Sequence, residues 1–183
     1  MIVFFDTETT GLPEDNAYLV QLGAVLTDNT GAIKKQLDML IFPAGWTVPP
    51  AAQKIHGIST DDCRRFGVPL NRVLTAFEDL CHDAILSVAH NHRFDAAILE
   101  LESCRLGRRT PLPKHFACTM ELMTPLCNLP GPRGPKWPRL EEAYFHFFRC
   151  FPERIHHALL DALTCRKIFF ELLRYGYTEL PHA

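Results

Sequence analysis

Asp6 and Glu8 stand one residue apart in VFFDTETTGL, directly after the apolar run Val3, Phe4 and Phe5. In an extended chain residues i and i+2 point the same way, so the two carboxylates are expected side by side at the end of a buried strand. Their repulsion costs free energy unless a cation lies between them. Another acid, Asp95, falls one turn into a helical pattern after the apolar stretch AILSVAH, and taken alone it reads as a first-turn acid favoured by the helix dipole. Asp161 sits among Ala158, Leu159, Leu160, Ala162 and Leu163, where an unpaired charge is expensive and something must offset it. Carboxylate oxygens suit magnesium or manganese, and two such ions about 3.5–4 Å apart can clamp a phosphodiester during in-line displacement. His156, five residues before Asp161, offers an imidazole able to take a proton from an attacking water near neutral pH.

These residues come from three separated segments, so the elements between them must bring them together. IVFFD, YLVQLGAVLTD and AIKKQLDMLIFP read as strands divided by Gly, Pro and Asn, and their short spacings favour antiparallel hairpins. From about Pro49 the pattern turns helical through AAQKIHGIST. A helix is expected from Pro69 to Cys81, with Val73, Leu74, Phe77 and Leu80 on one side. AILSVAH reads as a buried strand leading into a helix that carries Phe94, Ala97, Ile98 and Leu101 toward the core and closes at Gly107. RLEEAYFHFF and HALLDALTCRKIFFELLRYG also read as helices, the second ending at Gly176. Strands first and strand–helix alternation afterwards imply an α/β fold, a mixed sheet with helices on its faces.

The 183 residues suit a single domain, 1–183, and 47% apolar with 22% charged residues is the profile of a soluble globular chain. The start, MIVFFDTE, lacks the basic and apolar regions of a signal peptide, and no apolar run is long enough to span a bilayer. A cytoplasmic protein without membrane association is expected. The seven cysteines contain no C-x-x-C pair, which suits reduced thiols and speaks against a zinc site. The formal net charge of -2 does not announce a polyanionic partner, yet the acids of a metal site can mask one.

FFDTETTGL, HNHRFDAAIL and HHALLDA, with KIHGIS and ACTMEL between them, resemble in order and separation the motifs of the DEDDh 3′-to-5′ exonucleases, the DnaQ-like group that includes polymerase proofreading subunits. The resemblance extends over nearly the whole chain. It implies a ribonuclease H-like mixed sheet, its first three strands antiparallel and the others parallel, flanked by helices. It also implies a metal-dependent exonuclease that releases nucleoside 5′-monophosphates from the 3′ end of DNA, single-stranded by preference. An exoribonuclease of the same fold, or a polymerase-associated proofreading or binding subunit, is the alternative.

Carried over residue by residue, the resemblance makes Asp6, Glu8, Asp95 and Asp161 the ligands of two Mg²⁺ ions, which Mn²⁺ can replace. Asp6 bridges both ions, Glu8 and Asp161 complete the site that generates the nucleophile, and Asp95 holds the second ion. The H-x-A-x-x-D spacing of the family selects His156 rather than His157 as the general base. Thr9, Gly11 and Leu12 correspond to positions that receive the terminal nucleotide, with His56, Asn91 and Phe94 lining the same pocket.

Two basic stretches remain. PLCNLPGPRGPKWPRL combines Arg133, Lys136 and Arg139 with Trp137 and five prolines. It reads either as a surface able to contact phosphates and stack on a base or, for Trp137 in particular, as a rigid loop anchored to the core by its indole. Arg105, Arg108, Arg109 and Lys114 read as a solvated face. The close at YTELPHA favours a stand-alone nuclease over a docked subunit, and an edge strand among the first three could pair across a homodimer.

Overall fold

A computed structural model describes residues 1–153 and 155–178; the end of YTELPHA, residues 179–183, lies outside the described residues. Strands β1 (Ile2–Thr9), β2 (Leu19–Thr27), β3 (Ile33–Leu40), β4 (Leu86–Ala89) and β5 (His115–Cys118) form one sheet in the order β3-β2-β1-β4-β5. β1 and β3 each run antiparallel to β2, while β4 runs parallel to β1 and to β5. This is the expected ribonuclease H-like mixed sheet. Its helices are α1 (Pro50–His56), α2 (Thr60–Phe66), α3 (Leu70–Cys81), α4 (His92–Arg105), α5 (Thr119–Cys127), α6 (Leu140–Phe148) and α7 (Ala158–Arg174). A small hairpin of β6 (Pro130–Gly131) and β7 (Gly134–Pro135) stands apart from the sheet.

The period-two pattern of β1 divides its side chains between two cores. Val3 and Phe5 pack with Leu22, Ala24, Phe77 and Ile98 beneath α3 and α4. Ile2 and Phe4 pack with Val88, Cys165 and Phe169 beneath α7, where the rings of Phe4 and Phe169 meet edge-on at 5.6 Å. Burying each such side chain contributes roughly 1.5–3 kcal/mol. The same alternation sends Asp6 and Glu8 to the α7 side and Thr7 to the α4 side.

Gly23 lies opposite Asp6 in the β1–β2 ladder. A Cβ there would fall 2.0 Å from the backbone nitrogen of Leu159 and 2.1 Å from the carbonyl carbon of Ala158. The start of α7 therefore rests its backbone on the sheet, and only a residue without a side chain admits that approach.

Most elements fall where the sequence places them, with three differences. β5 and α5 were not expected: β5 has four residues, and α5 carries Pro125 inside it, a residue that usually ends a helix. Trp137 does not anchor its loop, because it is 65% exposed; the loop is fastened instead by buried Pro138, whose carbonyl meets His90 Nε2 at 3.0 Å. The basic group after α4 is only partly a solvated face. Arg105 binds Glu102 and the carbonyls of Asn16 and Ala17, and Arg108 ties α4 to Glu78 and Thr75 of α3, leaving Arg109 and Lys114 exposed.

Candidate active site

Asp6, Glu8, Asp95, His156 and Asp161 line one cleft of ≈ 490 Å³, together with Thr7, His90, Asn91 and Phe94. The acids come from the end of β1 and from the first turns of α4 and α7. Asp95 is 2% exposed, and its Oδ1 accepts hydrogen bonds from the backbone N–H of Thr7 at 3.0 Å and from the Thr7 hydroxyl at 2.7 Å. The odd-numbered neighbour of the two strand acids thus holds the acid from the opposite face.

The α7 side is built differently. His157 precedes the helix without capping it, and the first helical N–H, that of Ala158, donates across to Gln21 Oε1 on β2 at 3.2 Å. The other end of the Gln21 amide donates to Asp38 Oδ1 at 2.7 Å. His157 Nε2 lies 3.7 Å from Asp38 and 3.4 Å from the Gln21 amide. His156 has a left-handed backbone, φ 60°, its N–H donates to Asp161 Oδ2 at 2.9 Å, and its ring is on the acid side. One ligand atom from each of Glu8, His156 and Asp161 lies within 4.8 Å of the others. The left-handed turn therefore sends the adjacent histidines to different places, one to the acids and one to Asp38.

Crowding these carboxylates out of water makes them hard to ionise together. Burial, then Asp95, Asp161 and Glu8, hold the Asp6 carboxyl well above its ordinary range. Burial with Asp161 and Asp95 pushes Glu8 to about 8. Burial raises Asp95 to about 7 despite its Thr7 hydrogen bonds, and Asp161 to about 6 despite the His156 N–H. Asp161 Oδ1 is buried with no hydrogen-bond partner among the described residues. An orphaned carboxylate oxygen, in a group of like charges with oxygen donors, fits a hard divalent cation such as Mg²⁺ or Mn²⁺. Asp6, Glu8, Asp95 and Asp161 are the cleft carboxylates that could hold one, Glu8 and Asp161 with ligand atoms within 4.8 Å of each other.

A second pocket of ≈ 310 Å³ gathers Thr9, Gly11, Leu12, His56 and Phe94 with Ala51, Ala52 and Ile55, and shares Thr7, Glu8, Ile55 and Phe94 with the acid cleft. Leu12 and Ile55 are 55% and 60% exposed, two apolar side chains on one open pocket. A Cβ at Gly11 would meet nothing closer than the Ala17 Cβ at 3.9 Å, so no intrachain contact demands glycine there. Buried His56 accepts the Ile58 N–H at Nδ1, 3.0 Å, and its Nε2 has no partner among the described residues. Asn91, with φ 81° and no capping bond, lines the acid cleft rather than this pocket.

Sequence reasoning missed Ile55, His90, Gln21 and Gly23. Ile55 carried a usable signal, an apolar residue directly before His56 in KIHGIS. The roles of Gly23 and Gln21 depend on contacts made more than a hundred residues away, which no local pattern records.

A mixed sheet with an acidic cleft at the end of its central strand is an architecture of the ribonuclease H-like class. The family model for the RNase_T exonucleases matches residues 3–169, and the chain belongs to this family, among the DnaQ-like 3′-to-5′ exonucleases. The DNA polymerase III subunit epsilon of Treponema pallidum is 30% identical over 179 residues, which cover 98% of this chain and 79% of that one. A PolC-type DNA polymerase III of Streptococcus pyogenes is 41% identical over 177 residues, 94% of this chain but only 11% of that far longer protein. Among solved structures, Escherichia coli exonuclease I in complex with a 5cy-dT13 oligonucleotide superposes with TM-score 0.76 at 18% identity, over 94% of this chain and 40% of that one. A zinc-bound form of the same protein with single-stranded DNA gives 0.79 at 18% identity, over 95% and 40%. These two share the fold. Among the described residues no helix is long and apolar enough to cross a membrane.

Proposed function

We propose that residues 1–183 act as one cytoplasmic exonuclease domain that removes nucleoside 5′-monophosphates from the 3′ end of single-stranded DNA, with two Mg²⁺ ions that Mn²⁺ can replace. The observation that carries this reading is the buried Asp161 oxygen, without a hydrogen-bond partner among the described residues, within a cleft where Asp6 and Glu8 of β1, Asp95 of α4 and Asp161 of α7 come together. Asp6, Glu8, Asp95 and Asp161 would hold the ions. When bound, the pair supplies positive charge that activates a water nucleophile and stabilises the departing 3′ oxygen.

His156 takes the proton from that water, its ring set beside Glu8 and Asp161 by the left-handed turn at its own backbone. Thr7 keeps the Asp95 carboxylate aimed at the cleft through two hydrogen bonds. Leu12 and Ile55 offer apolar surface to the terminal base, Gly11 leaves room for the sugar to approach the backbone, and His56 and Thr9 complete the pocket beside them. Phe94, shared by both cavities, and Asn91 orient the strand where it enters the acids.

The polymerase III relatives favour DNA over RNA and make a polymerase subunit a natural partner. An exoribonuclease is the nearest rival, since no residue here reads a 2′-hydroxyl recognisably. Purified protein incubated with matched 5′-labelled DNA and RNA oligomers and magnesium tests the reading. The expected result is stepwise shortening of DNA with release of mononucleotides, lost in Asp6→Ala, in chelator and on a 3′-phosphorylated end. Hydrolysis that persists in chelator, or that ignores the blocked end, overturns it; faster RNA cleavage replaces the substrate.

A further inference from the structure

The Pro-rich segment 128–139 contains Arg133, Lys136 and Arg139 and no acid, and with Trp137 exposed rather than anchored in the core, its strand-contacting reading stands. Its hairpin is closed by the Lys136 N–H donating to the Leu129 carbonyl at 2.9 Å, beside the β6–β7 pairing. A Cβ at Gly131 would lie 2.7 Å from the Gly134 carbonyl, so the hairpin closes tightly. Four of its residues, Pro130, Pro132, Pro135 and Pro138, are prolines, which leave little backbone freedom to lose on binding.

The far end of this arm is fixed to the acid cleft. His90 lines the cleft, and its Nε2 meets the Pro138 carbonyl at 3.0 Å while its Nδ1 meets the Thr119 hydroxyl at 3.0 Å. Arg139, the next residue, lines the cleft with a side chain 77% exposed and its guanidinium 3.8 Å from Glu141. Lys136 is committed to Glu142 at 2.7 Å, whereas Arg133 is exposed and makes no ion pair among the described residues. Trp137 stands between the committed lysine and the cleft arginine, with no aromatic ring against it among the described residues.

We propose that this arm is a docking surface for the nucleic-acid strand upstream of the cleaved bond, with Trp137 stacking on a base and Arg139 and Arg133 pairing with phosphates. The inference rests on the exonuclease reading and deepens it. A terminal nucleotide in the acid cleft has the rest of its strand still to lead away, and the arm offers positive charge from Arg139 on the cleft and the exposed ring of Trp137 two residues before it. Stacking tolerates any base, so the surface grips strands without reading sequence. Charge decides the occupant: Arg133, exposed and in no ion pair among the described residues, and Arg139, whose side chain stays 77% exposed beside Glu141, suit a polyanion better than an apolar protein face.

The test compares wild type, Trp137→Ala and Trp137→Tyr on the p-nitrophenyl ester of thymidine 5′-monophosphate and on DNA oligomers of increasing length. For wild type, KM falls as the strand lengthens. For Trp137→Ala that gain is lost, with KM on long strands about tenfold higher than wild type and little change in kcat, and Trp137→Tyr restores most of it. Indole fluorescence, with calcium in place of magnesium to slow turnover, is quenched by long strands in a Trp46→Phe protein. An unchanged length dependence together with no quenching overturns the arm as a strand-binding surface and leaves the exonuclease reading intact. If wild type cleaves neither ester nor oligomer, the exonuclease reading falls, and the quenching still decides the arm.

Discussion

Asp95 and Asp161 reach the same strand end from opposite faces of the sheet, each as the fourth residue of its helix, and they are held in contrasting ways. Asp95 is tied to β1 by two hydrogen bonds from Thr7. Asp161 has one oxygen on the His156 N–H and the other without a partner among the described residues, and its helix is seated by the bare backbone of Gly23 and the amide of Gln21. One half of the site is finished by the polypeptide. The other half leaves a valence that a cation can fill, and it also carries the histidine.

That contrast can be broken in several places. The largest effect is expected at the paired histidines: His156→Ala should lower kcat by about 10²–10⁴-fold, whereas His157→Ala, facing Asp38, should cost only a few-fold by comparison. Steady-state kinetics decide this, and the opposite ranking would move the base to His157. Next comes Gly23→Ala, whose methyl cannot share space with Leu159 and Ala158. It should cost about 1–3 kcal/mol of stability by overpacking and lower kcat well beyond what the lost stability explains, since Asp161 and His156 shift with α7; urea denaturation and kinetics on the folded fraction separate the two.

A third test uses the raised carboxyls. Between the ordinary carboxylate range and the folded values of about 8 for Glu8 and about 7 for Asp95, the native protein binds more protons than the unfolded chain. Stability without metal must therefore fall as pH rises through that window, by an amount on the order of a few kcal/mol. Magnesium should reverse the loss, and its stabilising effect should grow with pH in thermal melts. A flat profile in chelator would mean that the acids are farther apart in solution. The smallest effect is expected from Thr7→Val, which keeps the shape and deletes one donor to Asp95, at about 0.5–1.5 kcal/mol; it should weaken activity less than Gly23→Ala does, because the Thr7 backbone N–H still holds the carboxylate.

The same division separates what the sequence disclosed from what it withheld. Asp6, Glu8, Asp95, His156 and Asp161, which share one cleft, stood out in the sequence through the joint resemblance of their three motifs to the DEDDh exonucleases, since Asp95 taken alone reads as a first-turn acid. The strands and helices around them followed from periods of two and 3.6. The supports were not legible. Gly23 looked like any glycine in a strand, and Gln21 like a polar residue of no consequence, because their partners arrive with α7. Pro125 hid a helix, four residues were too few to announce β5, and Arg105 and Arg108 looked solvated because nothing in their neighbourhood shows Asn16 or Glu78 approaching. Trp137 was misjudged for a plainer reason: its apolar bulk suggested a core anchor, and buried Pro138 does that work instead.

The alternation along β1 has one more consequence. A slip of this strand by one residue against its neighbours would turn Ile2 and Phe4 toward α3 and α4, Val3 and Phe5 toward α7, and the acids away from the histidine, all at once. Core and chemistry are thus checked by a single alignment. A molecule that has mispaired its central strand loses hydrophobic burial in the same step as activity, so selection for a well-folded chain also discards inactive frames of this site.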